Sequence, residues 1–208
     1  MPLADTKSMH NPPTHNDAPM LAEPERQALL LLARGSIRHG LDRGGALPVE
    51  LSSQPEPLRT HHACFVTLQL DGDLRGCIGH LEAVQPLAID VADNAFAAAF
   101  RDPRFAPVSG AELDALHIEI SVLTPSEPLA FGSEEELIAL LRPSIDGIIL
   151  AENEADGSRR GTFLPSVWEQ LPQPHDFLRH LKRKAGLSPD HWSDGIRAWR
   201  YRTESFGE

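Results

Sequence analysis

The segment Asp71-Gly72-Asp73-Leu74-Arg75-Gly76-Cys77-Ile78 is echoed by Asp156-Gly157-Ser158-Arg159-Arg160-Gly161-Thr162-Phe163, with Asp-Gly, Arg-Gly and an apolar residue at the same spacing. Asp-Gly marks a tight turn, because both residues accept the left-handed backbone that a two-residue hairpin loop requires. Each segment leads into a helical pattern. A hairpin with one helix cannot bury its apolar face alone, so two such units are expected to share one sheet and one core. The echo argues for an α+β fold, with a largely antiparallel sheet and flanking helices, built by internal duplication. It also sets Thr162 in the second half where Cys77 stands in the first.

The pattern around the echo supports this layout. Leu30, Ala33, Ile37 and Leu41 recur at helical spacing after Pro24, and Gly40, Gly44 and Gly45 supply a stop. Cys64, Val66, Leu68 and Leu70 alternate with Phe65, Thr67 and Gln69 as a half-buried strand does. Leu87 to Phe100 forms an almost wholly apolar helix, ended by Asp102-Pro103, and the polar residues Asp90, Asp93, Asn94 and Arg101 read as a solvated stripe or, in the sharper alternative, as the lining of a cleft near the Arg75 loop. Ser109 with Glu112 and Ser133 with Glu136 resemble helix-capping boxes. Strands are expected at 118–122, 148–151 and 160–164, a helical turn from Pro165, a helix carrying Phe177, Leu178, Leu181 and Ala185, and a last strand at 196–201. Residues 1–22 lack any apolar period and are expected to be a disordered tail, with 23–206 one domain and 207–208 a short C-terminal tail.

Composition narrows the function. A net charge of -11 opposes non-specific binding to nucleic acid, which depends on cations displacing counterions. The basic run Arg179, His180, Lys182, Arg183, Lys184 reads as the wet face of a helix. No apolar run reaches the roughly 18 residues of a membrane span, and the expected location is cytoplasmic. Nucleotide fingerprints, Walker loops and serine elbows are absent, so no cofactor is expected.

Two cysteines, Cys64 and Cys77, are too few for a disulfide scaffold. With a two-residue turn at Asp71-Gly72, Leu68 faces Arg75, Val66 faces Cys77 and Cys64 faces Gly79. The thiols are then diagonal neighbours about 7–8 Å apart, too far for a bridge. Arg75 and Cys77 share a strand face, which puts a cation near the sulfur and favours a nucleophile or a ligand. Apolar neighbours such as Val66 favour an inert core thiol instead. His61, His62, Cys64, Cys77 and His80 gather around the hairpin, but their spacing is unlike that of an ordinary zinc site, and no metal is expected.

Phe65 to Leu68, Leu74 to Gly79, Ala97 to Phe105, Ile118 to Leu123 and Gly161 to Pro165 together resemble the AMMECR domain family, over about Pro24 to Phe206. Relatives are often named AmmeMemoRadiSam system protein A. The resemblance implies an α+β fold and a link to a Memo-like protein of dioxygenase-type fold and a radical S-adenosylmethionine protein; it carries no reaction with it. The family's Arg-Gly-Cys-Ile-Gly motif is matched without a gap by Arg75 to Gly79, whereas His80 replaces a usual threonine and Cys64 a usual small residue. The leading expectation is a cysteine-dependent enzyme. Cys77 and Arg75 would act on a small anionic substrate, in a cleft completed by Gly76, Gly79, Asp102 and Thr162. The alternative is a non-catalytic adaptor or ligand-binding module for the same partners.

Overall fold

A computed structural model describes residues 20–152 and 159–208. The chain opens with helix α1 (Glu23–Arg43) and the one-turn helix α2 (Glu56–Arg59), then the hairpin β1 (Cys64–Leu70) and β2 (Asp73–Gly79). Helix α3 (Leu87–Phe100) follows, then β3 (Leu116–Leu123), the two-residue β4 (Glu127–Pro128) and α4 (Glu134–Leu140). The second hairpin is β5 (Gly147–Glu152) and β6 (Arg159–Phe163), and the chain ends with α5 (Pro174–Lys184), β7 (Ile196–Tyr201) and β8 (Thr203–Gly207). The fold is α+β and every strand pairing is antiparallel.

Local chemistry explains most of these elements. Pro24 sits in the first turn of α1, and Glu25 accepts a hydrogen bond from the Ala22 N–H at 2.5 Å. The helix runs past Gly40 and stops at Gly44, whose φ of 76° closes the αL cap by donating to Gly40 O at 2.9 Å. Gly40 has a different task from the expected stop: a Cβ there would lie 2.4 Å from the Phe100 ring, so its bareness lets α1 cross α3. Asp71 and Gly72, at φ 53° and 87°, make the expected tight turn. The Asp156-Gly157 turn lies outside the described residues.

The strands form two four-stranded sheets, not the single shared sheet expected. Their orders are β2-β1-β3-β8 and β4-β7-β5-β6. Each hairpin already has a helix on it, α3 on β1 and β2, α5 on β6, so each half fills its own core. One core gathers Leu29, Ile37, Val66, Leu68, Val91 and Ile120; the other gathers Leu137, Ile148, Trp168, Phe177 and Leu181. Ala63, Leu123, Ile149 and Tyr201 form a third cluster that joins them.

The halves exchange their last strands. After β3 the chain passes to the other sheet, where β4 pairs with β7; after β7 it passes back, where β8 pairs with β3. The two crossings are tied together, since Thr124 N–H donates to Arg202 O and Arg202 N–H to Thr124 Oγ1, both at 2.9 Å. Residues 1–19 of the expected N-terminal tail lie outside the described residues. Leu21 is 3% exposed within the first core, and Gly207 belongs to β8.

Candidate functional site

The Arg-Gly-Cys-Ile-Gly run forms most of β2, an edge strand, but its register differs from the simple hairpin. Gln69 pairs with Leu74 as expected; then a bulge absorbs Arg75, so that Leu68 pairs with Gly76 and Thr67 with Cys77. One extra residue moves every later side chain to the other face. Cys77 therefore lies opposite Thr67, not Val66, and the two free cysteines sit on opposite faces of the sheet. Cys64 joins the core, while Cys77 shares a half-exposed face with Thr67, Gln69 and Glu119.

Arg75 is engaged by the loop that follows α3. Its guanidinium bonds Glu112 Oε1 at 2.7 Å and the carbonyls of Ala106 and Pro107. Arg75 and the Ser109 N–H and hydroxyl hold the Glu112 carboxyl down to about 2. The Ser109 and Glu112 pair forms as a capping contact, but only the 3-10 turn Leu113–Ala115 follows.

The guanidinium bonded to Cys77 is that of Arg104. Cys77 turns its backbone N–H and C=O away from β1; the N–H donates to Asp102 Oδ2 at 2.9 Å and the C=O accepts from Arg104 Nη2 at 3.2 Å. Arg104 grips the same carboxylate with Nε at 2.9 Å and Nη2 at 2.7 Å. This bidentate pair holds the Asp102 carboxyl well below its ordinary range. Asp102 and Arg104 thus act as a two-residue substitute strand on the open edge of β2. Because Cys77 and Thr67 exchange no backbone bonds, their side chains approach closely, and Thr67 Oγ1 donates to Cys77 Sγ at 3.3 Å.

The other expected site residues are occupied with packing. A Cβ on Gly76 would lie 2.2 Å from Ala98 O, and one on Gly79 would lie 2.3 Å from Cys64 O. Both glycines admit backbone where no side chain fits. Thr162 belongs to the second sheet, where its hydroxyl donates to Ile148 O at 2.9 Å and meets Tyr201 Oη at 3.0 Å. Burial pushes the Tyr201 phenol up to about 12. Arg75, Asp102 and Thr162 therefore do not close one cleft around Cys77. Gly161 packs against the end of α5 at Ala185, and Gly76 against α3 at Ala98.

Sequence reasoning missed a buried polar cluster behind Cys64. Asp90 and Asn94, read as part of a wet stripe, are buried with Cys64. Asp90 Oδ2 accepts from the Cys64 N–H, the Cys64 thiol and Asn94 Nδ2, each at 3.1 Å, and Oδ1 from Gln85 Nε2 at 3.1 Å. Burial and the Asp90 carboxylate push the Cys64 thiol well above its ordinary range, which makes it a neutral donor. The spacing of four between Asp90 and Asn94 inside an apolar helix was the available signal. His80 Nε2 lies 2.9 Å from Asp90 Oδ1, at an angle that does not make a hydrogen bond. Among the described residues no three His, Cys, Asp or Glu side chains converge as a metal site would need.

The basic run on α5 is only partly wet. Lys182 is fully buried and pairs with Glu134 at 2.8 Å, while its neighbours Arg179, His180, Arg183 and Lys184 are exposed. No helix among the described residues is long and apolar enough to cross a membrane.

Comparison with known proteins places this arrangement among relatives. The chain is 39% identical to a protein of Methanothermobacter thermautotrophicus over 193 residues, covering 90% of this chain and 96% of that one. It is 40% identical to a protein of Thermotoga maritima over 157 residues, covering 74% and 83%. The crystal structure of an uncharacterized protein from Pyrococcus horikoshii superposes with a TM-score of 0.81 at 32% identity, covering 91% of this chain and 94% of that chain. The family described as AMMECR1 matches residues 30–206, a span that takes in both sheets, the bulged motif strand and most of the exchanged strand β8, and the chain belongs to that family.

Proposed function

We propose that the protein is a cysteine-dependent enzyme for a small anionic molecule, in which Cys77 is the nucleophile or ligand and Arg104, rather than Arg75, supplies the cation. The observation that carries this reading is the placement of the thiol. Cys77 stands on a half-exposed sheet face with a hydroxyl donor on its sulfur, and the Arg104 guanidinium is fixed on its carbonyl. A thiol near a fixed cation and open to solvent is in the setting of reactive cysteines, whereas Cys64 is in that of inert ones. On the same reading the chain works beside a Memo-like protein and a radical S-adenosylmethionine protein, the partners that the family resemblance implies.

Alkylation with a charged and a neutral reagent tests the role of Arg104. Native protein treated with iodoacetate and, separately, with iodoacetamide should label at Cys77 and spare Cys64. The iodoacetate to iodoacetamide rate ratio should exceed that of an unstructured cysteine peptide by several-fold, and Arg104→Ala should remove the excess. Labelling of Cys77 only after denaturation would end the enzyme reading. The motif would then serve to shape a surface for the partner proteins.

A further inference from the structure

The chain leaves β2 through Gly79, His80 and Leu81 and passes beside Arg160 of β6. Two adjoining hollows open there, of about 420 and 270 Å³, with Leu81, Glu82 and Arg160 in the walls of both. Val84, Leu123 and Ile149 add apolar wall, and His61, His62 and His80 add polar groups. Cys77 lines neither hollow.

His80 connects this cleft to the buried carboxylate. Its side chain is 36% exposed and lines the larger hollow, while Nε2 is buried against the fully buried Asp90. Asp90's four hydrogen-bond donors, from Cys64, Asn94 and Gln85, are all neutral. Among the described residues, His80 is the one basic side chain paired with Asp90. The carboxylate fixes the charge at the ring's buried edge, and only a doubly protonated ring would present a second N–H to the cleft. Across the cleft, Arg160 is held by Glu82 at 3.0 Å, with side chains 44% and 69% exposed. So exposed a pair contributes little and yields easily to another oxyanion.

We infer that this cleft binds a small organic oxyanion, a carboxylate or phosphate on an apolar body. The anionic head takes the place of Glu82 on Arg160 and accepts from His80, and the body rests on Leu81, Val84 and Ile149. Asp90 acts through His80 as a positioning residue. The inference is independent of the thiol reading, because none of its groups touches Cys77.

Benzoate, phenyl phosphate and inorganic phosphate serve as probes, with binding followed by the ring-proton NMR signals of His80, His61 and His62 in the full chain. One or both aromatic anions should saturate the His80 shift, and inorganic phosphate should bind at least several-fold more weakly. Preference between the first two identifies the head group. Arg160→Gln should weaken binding roughly tenfold or more, the usual loss for a charge-assisted hydrogen bond. Glu82→Gln should tighten it, and Cys77→Ser should leave it unchanged. His80→Gln should weaken it while the melting temperature stays near that of the parent protein. The inference is overturned if the aromatic anions leave the three histidine signals unmoved, or if Arg160→Gln and Glu82→Gln both bind like the parent.

Discussion

The Cβ that Gly76 lacks would lie 2.2 Å from the carbonyl oxygen of Ala98. The obstacle is helix backbone, which cannot swing aside, so β2 and α3 touch at a point that admits no side chain at all. Gly76→Ala should therefore destabilise the protein by about 2 kcal/mol or more, as overpacking of a rigid contact does. Chemical denaturation of the two proteins measures it. A loss near zero would mean that α3 stands further from the strand.

Cys64 should resist alkylation until the protein unfolds, since it is buried and its thiol is held neutral beside Asp90. Cys64→Ala removes a donor from a buried carboxylate and should cost about 1–3 kcal/mol. Cys64→Ser keeps a donor and should cost less. Equal losses in equilibrium denaturation would show that volume, not the hydrogen bond, sets the value of that position.

Leu21→Ala should lower stability by about 2 kcal/mol, because the side chain is 3% exposed in the first core. The backbone N–H of Met20 next to it donates to Glu204, so this stretch is tied to β8 as well. An unchanged denaturation midpoint would return the segment to the tail that its composition resembles.

Acid should loosen the second half through Glu152. Its carboxylate accepts from Ser193 Oγ at 2.5 Å, from His191 Nε2 at 2.6 Å and from Arg159 Nη1 at 3.2 Å, and these contacts, Ser193 first, hold it down to about 2. A carboxyl depressed on folding stabilises the native state above its unfolded value of about 4.5, and that contribution is lost as pH falls toward 2. Glu152→Gln should melt lower than the parent at pH 7, with the gap closing by pH 2 to 3. A gap independent of pH would assign the effect to packing.

Helix α3, the Asp71-Gly72 turn and the alternating strand β1 were legible because each repeats its period for a full element. The face of Cys77 was not. Strand faces are counted from the turn, and a single bulged residue at Arg75 inverts the count without leaving any mark in the apolar pattern. Arg104 escaped for a related reason. It follows Asp102-Pro103 outside any regular element, so no spacing rule connects it to a strand 27 residues earlier. Strand β4, at two residues, is too short to show a period.

The reciprocal passage of β4 and β8 sets a timetable for synthesis. On the ribosome the first hairpin, α3 and β3 emerge early, yet β3 keeps one bare edge until residues 203–207 arrive at the far end of the chain. The second sheet waits almost as long, since β7, which joins β4 to β5, arrives only with residues 196–201. The half that carries the motif is thus the first to appear and the last to close, and its unpaired edge is the place where a nascent chain would recruit a chaperone or a neighbouring copy.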